Sequence, residues 1–383
     1  MSKTFADETG GHGGDLERAA LRWGKNKEEL LDFSSNVNPL GPPPGLIDHL
    51  GDVLPAIVNY PTPQARRLRK ELARFLKLPQ ERLLLGNGAN ELIHLLLLWH
   101  RPRRVLIPAP TFSEYERAAV LAGSSVERYF LAPANNLDLN WFENNLRCGD
   151  LLVLCNPNNP TGTLYPRSDL MALVGKAGEY GVDVMVDESF IPLTGKPQES
   201  LRDLQKNNLW IILSLTKLWC LPGLRLGCLI GPEGIIRELT RWGDPWRVNI
   251  LAQEAGLFCL NQENYLKESL DLIESERRYL CKKFMATGFF QVFEGAANYL
   301  LIKGRLPGFN VAEFQDFLAG EGLFIRRADN FYGLDRRYFR VAVRRREENK
   351  KLIRAVEKYL EHWQNSNNYK QAIHREYSGG EGQ

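Results

Sequence analysis

The sequence predicts a large doubly wound α/β domain on a mostly parallel sheet, joined to a small α+β domain. Three observations predict it. Short apolar runs alternate with amphipathic stretches of helical length over residues 60–235. The runs mostly lack polar alternation, as strands buried on both faces of a parallel sheet do. The chain has 383 residues, beyond the roughly 250–300 at which a single core stops growing.

The strand-like runs are 83–85, 105–107, 151–155, 182–186, 210–213 and 226–230, rich in Leu, Val and Ile. Helical stretches at 64–76, 91–99, 113–122 and 166–180 lie between them. After Pro245 the pattern changes to a long charged helix over 263–283, strand-like runs at 299–302 and 339–343, and helices at 311–318 and 348–363. The last helix carries Leu352, Ile353, Val356, Leu360 and Trp363 on one face. The expected division is an N-terminal arm over 1–44, a large domain over 45–245, a small domain over 246–363 and a polar tail over 364–383. The tail is poor in apolar residues and is expected to be loosely ordered.

Composition narrows the function classes. Lys plus Arg is 49 and Asp plus Glu is 46, a net charge of +3. That balance argues against a protein built to bind nucleic acid, which needs a concentrated basic face. No apolar run approaches 18 residues, so no membrane partner is expected. The polar, acid-containing start lacks a secretory pattern. The six cysteines form no CxxC pair, so free thiols and a cytoplasmic location are expected. The six histidines are scattered without metal-ligand spacing, and no metal is expected.

Four features carry chemistry. Gly86-Asn87-Gly88-Ala89-Asn90 is a glycine turn after a strand that opens a helix, a place where backbone N–H groups bind phosphate. Taken singly, a plain tight turn explains it as well. Next comes Pro110-Thr111-Phe112-Ser113-Glu114-Tyr115-Glu116, where Ser113 and Glu116 have capping-box spacing. Phe112 either faces a ligand ring or packs in the core. Then Asn156-Pro157-Asn158-Asn159-Pro160 makes a rigid loop at a strand's carboxyl end, where ligands of open α/β sheets bind. The run ending in Asp187 puts a carboxylate at the next strand end. Last, Ser214, Thr216 and Lys217 follow a third strand, with Arg225 beyond. Singly, Lys217 reads equally as a surface lysine. Together, an acid for a pyridinium nitrogen, an amine for an aldehyde and several phosphate donors are the partners of pyridoxal phosphate.

In these motifs the sequence resembles the fold-type I pyridoxal-phosphate enzymes, in the branch containing histidinol-phosphate aminotransferase. The resemblance runs from about His12 to Leu360. It implies that Lys217 carries the cofactor covalently, that Asp187 pairs with its ring nitrogen, and that Asn159 bonds its phenolic oxygen. It further implies that Phe112 stacks on the ring and that Gly88, Ala89, Asn90, Ser214, Thr216 and Arg225 hold its phosphate. Tyr60, in Asn59-Tyr60-Pro61, resembles a tyrosine that reaches the cofactor from a second subunit, which implies a homodimer.

A narrower resemblance is to the L-threonine-O-3-phosphate decarboxylases of cobalamin biosynthesis. It rests on Gly-Gly-His12-Gly-Gly, on Asp32-Phe33-Ser34-Ser35-Asn36-Val37-Asn38-Pro39, and on the segments around Arg326 and Arg340. The likeness implies a small phosphorylated amino acid as substrate. Arg340 then binds its carboxylate, Arg326 and His12 its phosphate, and Asn38 and Asn159 line the substrate. Aminotransferases of this branch usually carry tyrosine three residues after the aspartate; this sequence has Phe190, as the decarboxylases do. The alternatives are decarboxylation of phosphoserine, a histidinol-phosphate type of transamination, and a cofactor-bound regulator without turnover. No helix-turn-helix is appended to suggest the last.

Overall fold

A computed structural model describes residues 13–133 and 135–378, with side chains as far as Asn365. His12 lies outside the described residues.

The strands run in chain order as β1 (Leu31–Asp32), β2 (Leu83–Gly86), β3 (Arg104–Ala109), β4 (Ser125–Phe130), β5 (Asp150–Cys155), β6 (Asp183–Asp187), β7 (Leu209–Ser214) and β8 (Gly227–Ile230). After them come β9 (Phe290–Phe293), β10 (Tyr299–Gly304), β11 (Leu323–Phe324), β12 (Arg326–Arg327) and β13 (Tyr338–Ala342). The large sheet has the order β2-β8-β7-β6-β5-β3-β4. All of it is parallel except β8, which runs against both its neighbours. β2, β3 after its first residue, β5 and β7 are buried along their length, which is why they read as unbroken apolar runs. β4, Ser-Val-Glu-Arg-Tyr-Phe, has no apolar run to read because it is the half-exposed edge strand and carries Ser, Glu and Arg among its six residues.

One cluster on each face seals this sheet. Leu72, Leu152, Val184, Ile211 and Trp219 belong to one, and Leu96, Val105, Leu151, Met185 and Trp210 to the other. The small domain is a four-stranded antiparallel sheet, β12-β13-β10-β9, with helices Val311–Gly320 and Arg346–Ser378. Its core gathers Phe284, Phe290, Phe314, Phe339, Leu352 and Val356. The N-terminal arm joins this domain. β1 pairs in parallel with β11, and Phe33 inserts into the small-domain core.

Three expectations need correction. The helix Ile250–Cys259, assigned to the small domain, buries Ala252, Ala255 and Cys259 in the large-domain core, so a boundary at residue 245 falls too early. The last helix does not stop at Trp363 but continues to Ser378. No glycine or proline interrupts 364–378, and polar residues are compatible with helix without favouring it. Finally, Ser113 and Glu116 form no capping box. Ser113 has helical backbone angles and makes no cap hydrogen bond, and Glu116 instead pairs with Arg128.

Phe339 is fully buried and its ring lies 5.0 Å from that of Phe314. Phe339→Ala is expected to lower stability by roughly 3–5 kcal/mol, read by chemical denaturation with a probe in the small domain.

Candidate active site

Parallel strands put all their carboxyl ends along one edge of a sheet. Here β2, β3, β5, β6 and β7 each end in a residue or loop that meets a cavity of about 290 Å³. Ala89, Asn90, Phe112, Asn159, Asp187, Ser214, Thr216, Lys217, Arg225, Arg326 and Arg340 line it, so the sequence-predicted residues are brought together.

Each loop is held by its own chemistry. In the Asn-rich loop, Asn156 bonds Tyr165 through both its amide atoms. Asn158 donates to Pro110 O and Thr161 Oγ1 and accepts from Thr111 Oγ1, which ties this loop to the one bearing Phe112. Two of the three asparagines are thus structural, and the third, Asn159, faces the cavity. Its Oδ1 accepts a hydrogen bond from Arg340 Nη1.

Asp187 is buried, and burial raises its pKa, opposed by hydrogen bonds from Ser189 and Tyr115 and by Lys217. Tyr115 Oη donates to its Oδ2 at 2.7 Å, and the Ser189 N–H donates to Oδ1 at 2.9 Å. Those two donors fix the carboxylate in one orientation. Tyr115 was not identified from the sequence. The available signal is its place in the first turn of the helix Glu114–Leu121, which follows the carboxyl end of β3.

Lys217 sits on the short helix Leu215–Leu218. Burial lowers its pKa to about 8, and the nearby charges of Arg340 and Arg225 push the same way. A partly neutral amine at physiological pH is a nucleophile, where an ordinary lysine is not.

At the start of helix Ala89–His100, Gly88 has φ +86. A Cβ there would lie 2.5 Å from Arg225 Nη2, so backbone and guanidinium can approach only because the residue is glycine. Ser214 Oγ and Thr216 Oγ1 lie 2.8 Å apart, both buried. Backbone N–H groups, two hydroxyls and a guanidinium form a phosphate cradle. Asn90 Oδ1 is buried without a partner at its rim.

Across the cavity, Arg326 and Arg340 stand directly opposite each other on β12 and β13. Both are buried. Arg326 bonds Arg327 O and Asn330 Oδ1, and Arg340 bonds Asn159 Oδ1 and Ser34 O. All these acceptors are neutral. Burial lowers the Arg340 pKa to about 10 and that of Arg326 to about 9, the latter helped by Arg340 itself. Two facing buried cations bonded to neutral groups make a receptor for an anionic ligand.

Two predicted residues stand elsewhere. Asn38 does not line the cavity. Its amide donates to Leu218 O and Ser269 Oγ and accepts from the Leu40 N–H, so its capacity is spent bracing the Lys217 helix. The neighbour that does line it is Asn36, buried with Oδ1 unpartnered; strand-like spacing around Phe33 could have pointed to it. Tyr60 is exposed, with its ring 5.2 Å from that of Trp246.

The set fits pyridoxal phosphate: an amine for the aldehyde, a buried carboxylate for the ring nitrogen, a flat aromatic at Phe112 and the glycine-dependent cradle for phosphate. Among the described residues no cluster of His, Cys, Asp or Glu is placed to hold a metal, and no helix is long and apolar enough to cross a membrane.

The model of the family described as aminotransferase class I and II matches residues 28–356. The chain is 33% identical to the threonine-phosphate decarboxylase of Salmonella typhimurium, over 91% of this chain and 96% of that protein. It is 34% identical to the histidinol-phosphate aminotransferase of Desulfitobacterium hafniense, over 88% and 93%. Among solved structures, the L-threonine-O-3-phosphate decarboxylase of Porphyromonas gingivalis superposes with a TM-score of 0.76 at 26% identity, over 86% of this chain and 99% of that one.

Reductive fixation of the aldehyde by borohydride is expected at Lys217 and nowhere else. When the aldehyde is added to the cofactor-free protein over a pH series, the rate of imine formation at Lys217 is expected to rise about a midpoint near 8, as the amine loses its proton. A midpoint above 10, the value for an exposed lysine, would contradict the burial argument.

Proposed function

The chain belongs to the aminotransferase class I and II family, and from that premise we propose that it decarboxylates L-threonine O-3-phosphate to (R)-1-amino-2-propanol O-2-phosphate for cobalamin biosynthesis. Pyridoxal phosphate supplies the electron sink for the pair left at Cα when carbon dioxide departs. Lys217 would hold the cofactor, Asp187 would pair with its ring nitrogen, Asn159 would bond its phenolic oxygen and Phe112 would cover its face.

Arg340 takes the substrate carboxylate. Its fork is already aimed by Asn159 and Ser34 O, and its buried Nε is unpartnered. Holding the carboxylate fixes which bond at Cα breaks. Arg326 takes the phosphate, joined by His12. Lys217, half neutral near pH 8, returns a proton to Cα. Phosphate anchors the substrate without reacting.

The observation that carries decarboxylation over transamination is Phe190. It is buried at the cavity wall, its ring edge-on to Tyr299 at 5.0 Å. It offers no hydroxyl to the cofactor's oxygen, so the cofactor loses one hydrogen bond there relative to a tyrosine.

The reading includes a homodimer. Tyr60, exposed beside Ile57, Val58 and Trp246 on one apolar stretch of surface, would reach the cofactor phosphate of a second copy. The location proposed is the cytoplasm.

Three incubations test the proposal. Phosphothreonine is expected to release carbon dioxide, and to do so faster than phosphoserine. Histidinol phosphate with 2-oxoglutarate is expected to give no glutamate; glutamate without carbon dioxide would overturn the assignment. Arg326→Ala should raise KM for phosphothreonine about ten- to hundredfold, the loss of a charge-assisted pair. Phe190→Tyr should lower the pH at which the bound cofactor's absorbance titrates; an unchanged midpoint would remove Phe190 from the argument.

A further inference from the structure

We infer that residues 329–335 form a strap over the substrate-anion site, latched to the large domain by Arg128, and that Arg128 and Tyr332 are positioning residues for Arg326. The part concerning substrate rests on the function proposed above; the latch itself does not.

The strap leaves β12 immediately after the anion-binding arginine. Arg327 pairs with Asp329 at its start, and turn hydrogen bonds close it from Phe331 N to Ala328 O and from Leu334 N to Phe331 O. Phe331 and Leu334 anchor it in a small apolar cluster with Phe293, Leu301 and Tyr338. Two of its residues reach back to the site. Asn330 Oδ1 accepts from Arg326 Nη2 at 2.9 Å, and the Phe331 ring lies 5.2 Å beneath the Arg326 guanidinium while lining the cavity. The aim of Arg326 therefore depends on where the strap sits.

Its outer side meets the edge strand of the other domain. On β4, Arg128 and Phe130 share one face because side chains alternate. The Arg128 guanidinium lies 5.0 Å from the centre of the Tyr332 ring. Gly333, with φ +81, packs so closely on Phe130 that a Cβ would fall 2.1 Å from its ring. Arg128 is itself fixed: Glu116 binds it through both carboxylate oxygens. Glu116 stands on the helix whose Tyr115 holds Asp187 and whose preceding turn carries Phe112. The latch thus ties the wall of the cofactor seat to the arginine that receives the substrate's anion. It also accounts for Glu116, which forms no cap, and for the aromatic Tyr332 left at the surface.

Two readouts test this on the holoenzyme, with its cofactor spectrum and melting temperature as folding controls. Without substrate, hydrogen exchange across 329–336 is expected to quicken about three- to tenfold in Arg128→Ala and in Tyr332→Ala. Tyr332→Phe keeps the ring and should exchange as the native protein does; Arg128→Lys should fall between. Unchanged exchange in both alanine variants overturns the latch, whatever the substrate. With phosphothreonine, Arg128→Ala should raise KM by a similar factor while kcat stays within about twofold. Faster exchange with KM unchanged overturns the coupling to Arg326. If phosphothreonine is not turned over by the native protein, the proposed function fails instead. The coupling is then read from protection of 329–336 by inorganic phosphate, and absence of that protection overturns it.

Discussion

Buried positive charge bonded to neutral acceptors organises this molecule. Arg326 and Arg340 are buried and Lys217 is half-buried around one cavity, and the hydrogen bonds of the two arginines go to amide and carbonyl oxygens. Desolvating an ion costs several kcal/mol even after relaxation, roughly, unless a counter-charge is met. The fold meets that cost by stiff construction elsewhere. One cluster seals each face of the seven-stranded sheet, and a third core supports the strands that carry the arginines. The shortfall of negative charge is then available to a ligand. Anionic ligands would supply what the protein withholds.

The same shortage explains the lowered lysine pKa. Burial contributes most, and two arginines add to it. The charges of Arg340 and Arg225 thereby make Lys217 a better nucleophile. Asp187, held by Tyr115 and Ser189, adds a buried carboxylate at the same cavity. Substrate recognition and cofactor chemistry draw on one electrostatic arrangement.

Joining two domains around such a site requires close contacts between them. Gly162 and Gly295 touch backbone to backbone, where a Cβ on either would clash. The arm threads between the domains, adding β1 beside β11 and passing Asn38 under the lysine helix. Residues 329–335 make the third bridge, resting on β4. Each bridge rests on contacts between segments far apart in sequence, which the apolar periodicity of the cores does not specify.

That difference marks the limit of what the sequence could tell. Unbroken apolar runs at residues 83–85, 105–107, 151–155 and 210–213 follow from burial on both sheet faces, so strand identity and parallel order were legible. Residue chemistry at strand ends was legible too: Asn159, Asp187 and Lys217 follow such runs directly and meet in the cavity. The edge strand β4 was hidden because exposure on one side removes the apolar signature. Local spacing misled at Glu116, whose carboxylate meets Arg128 twelve residues on, and the resemblance misled at Asn38, whose amide is spent on a helix 180 residues away. Side-chain partners distant in sequence are set by packing, not by spacing. By itself, the sequence determined the layered fold and the kind of chemistry. Only the tertiary structure decided that Arg326 faces Arg340, that Tyr115 holds Asp187 and that a strap latches on Arg128, because each depends on how separate segments come to lie side by side.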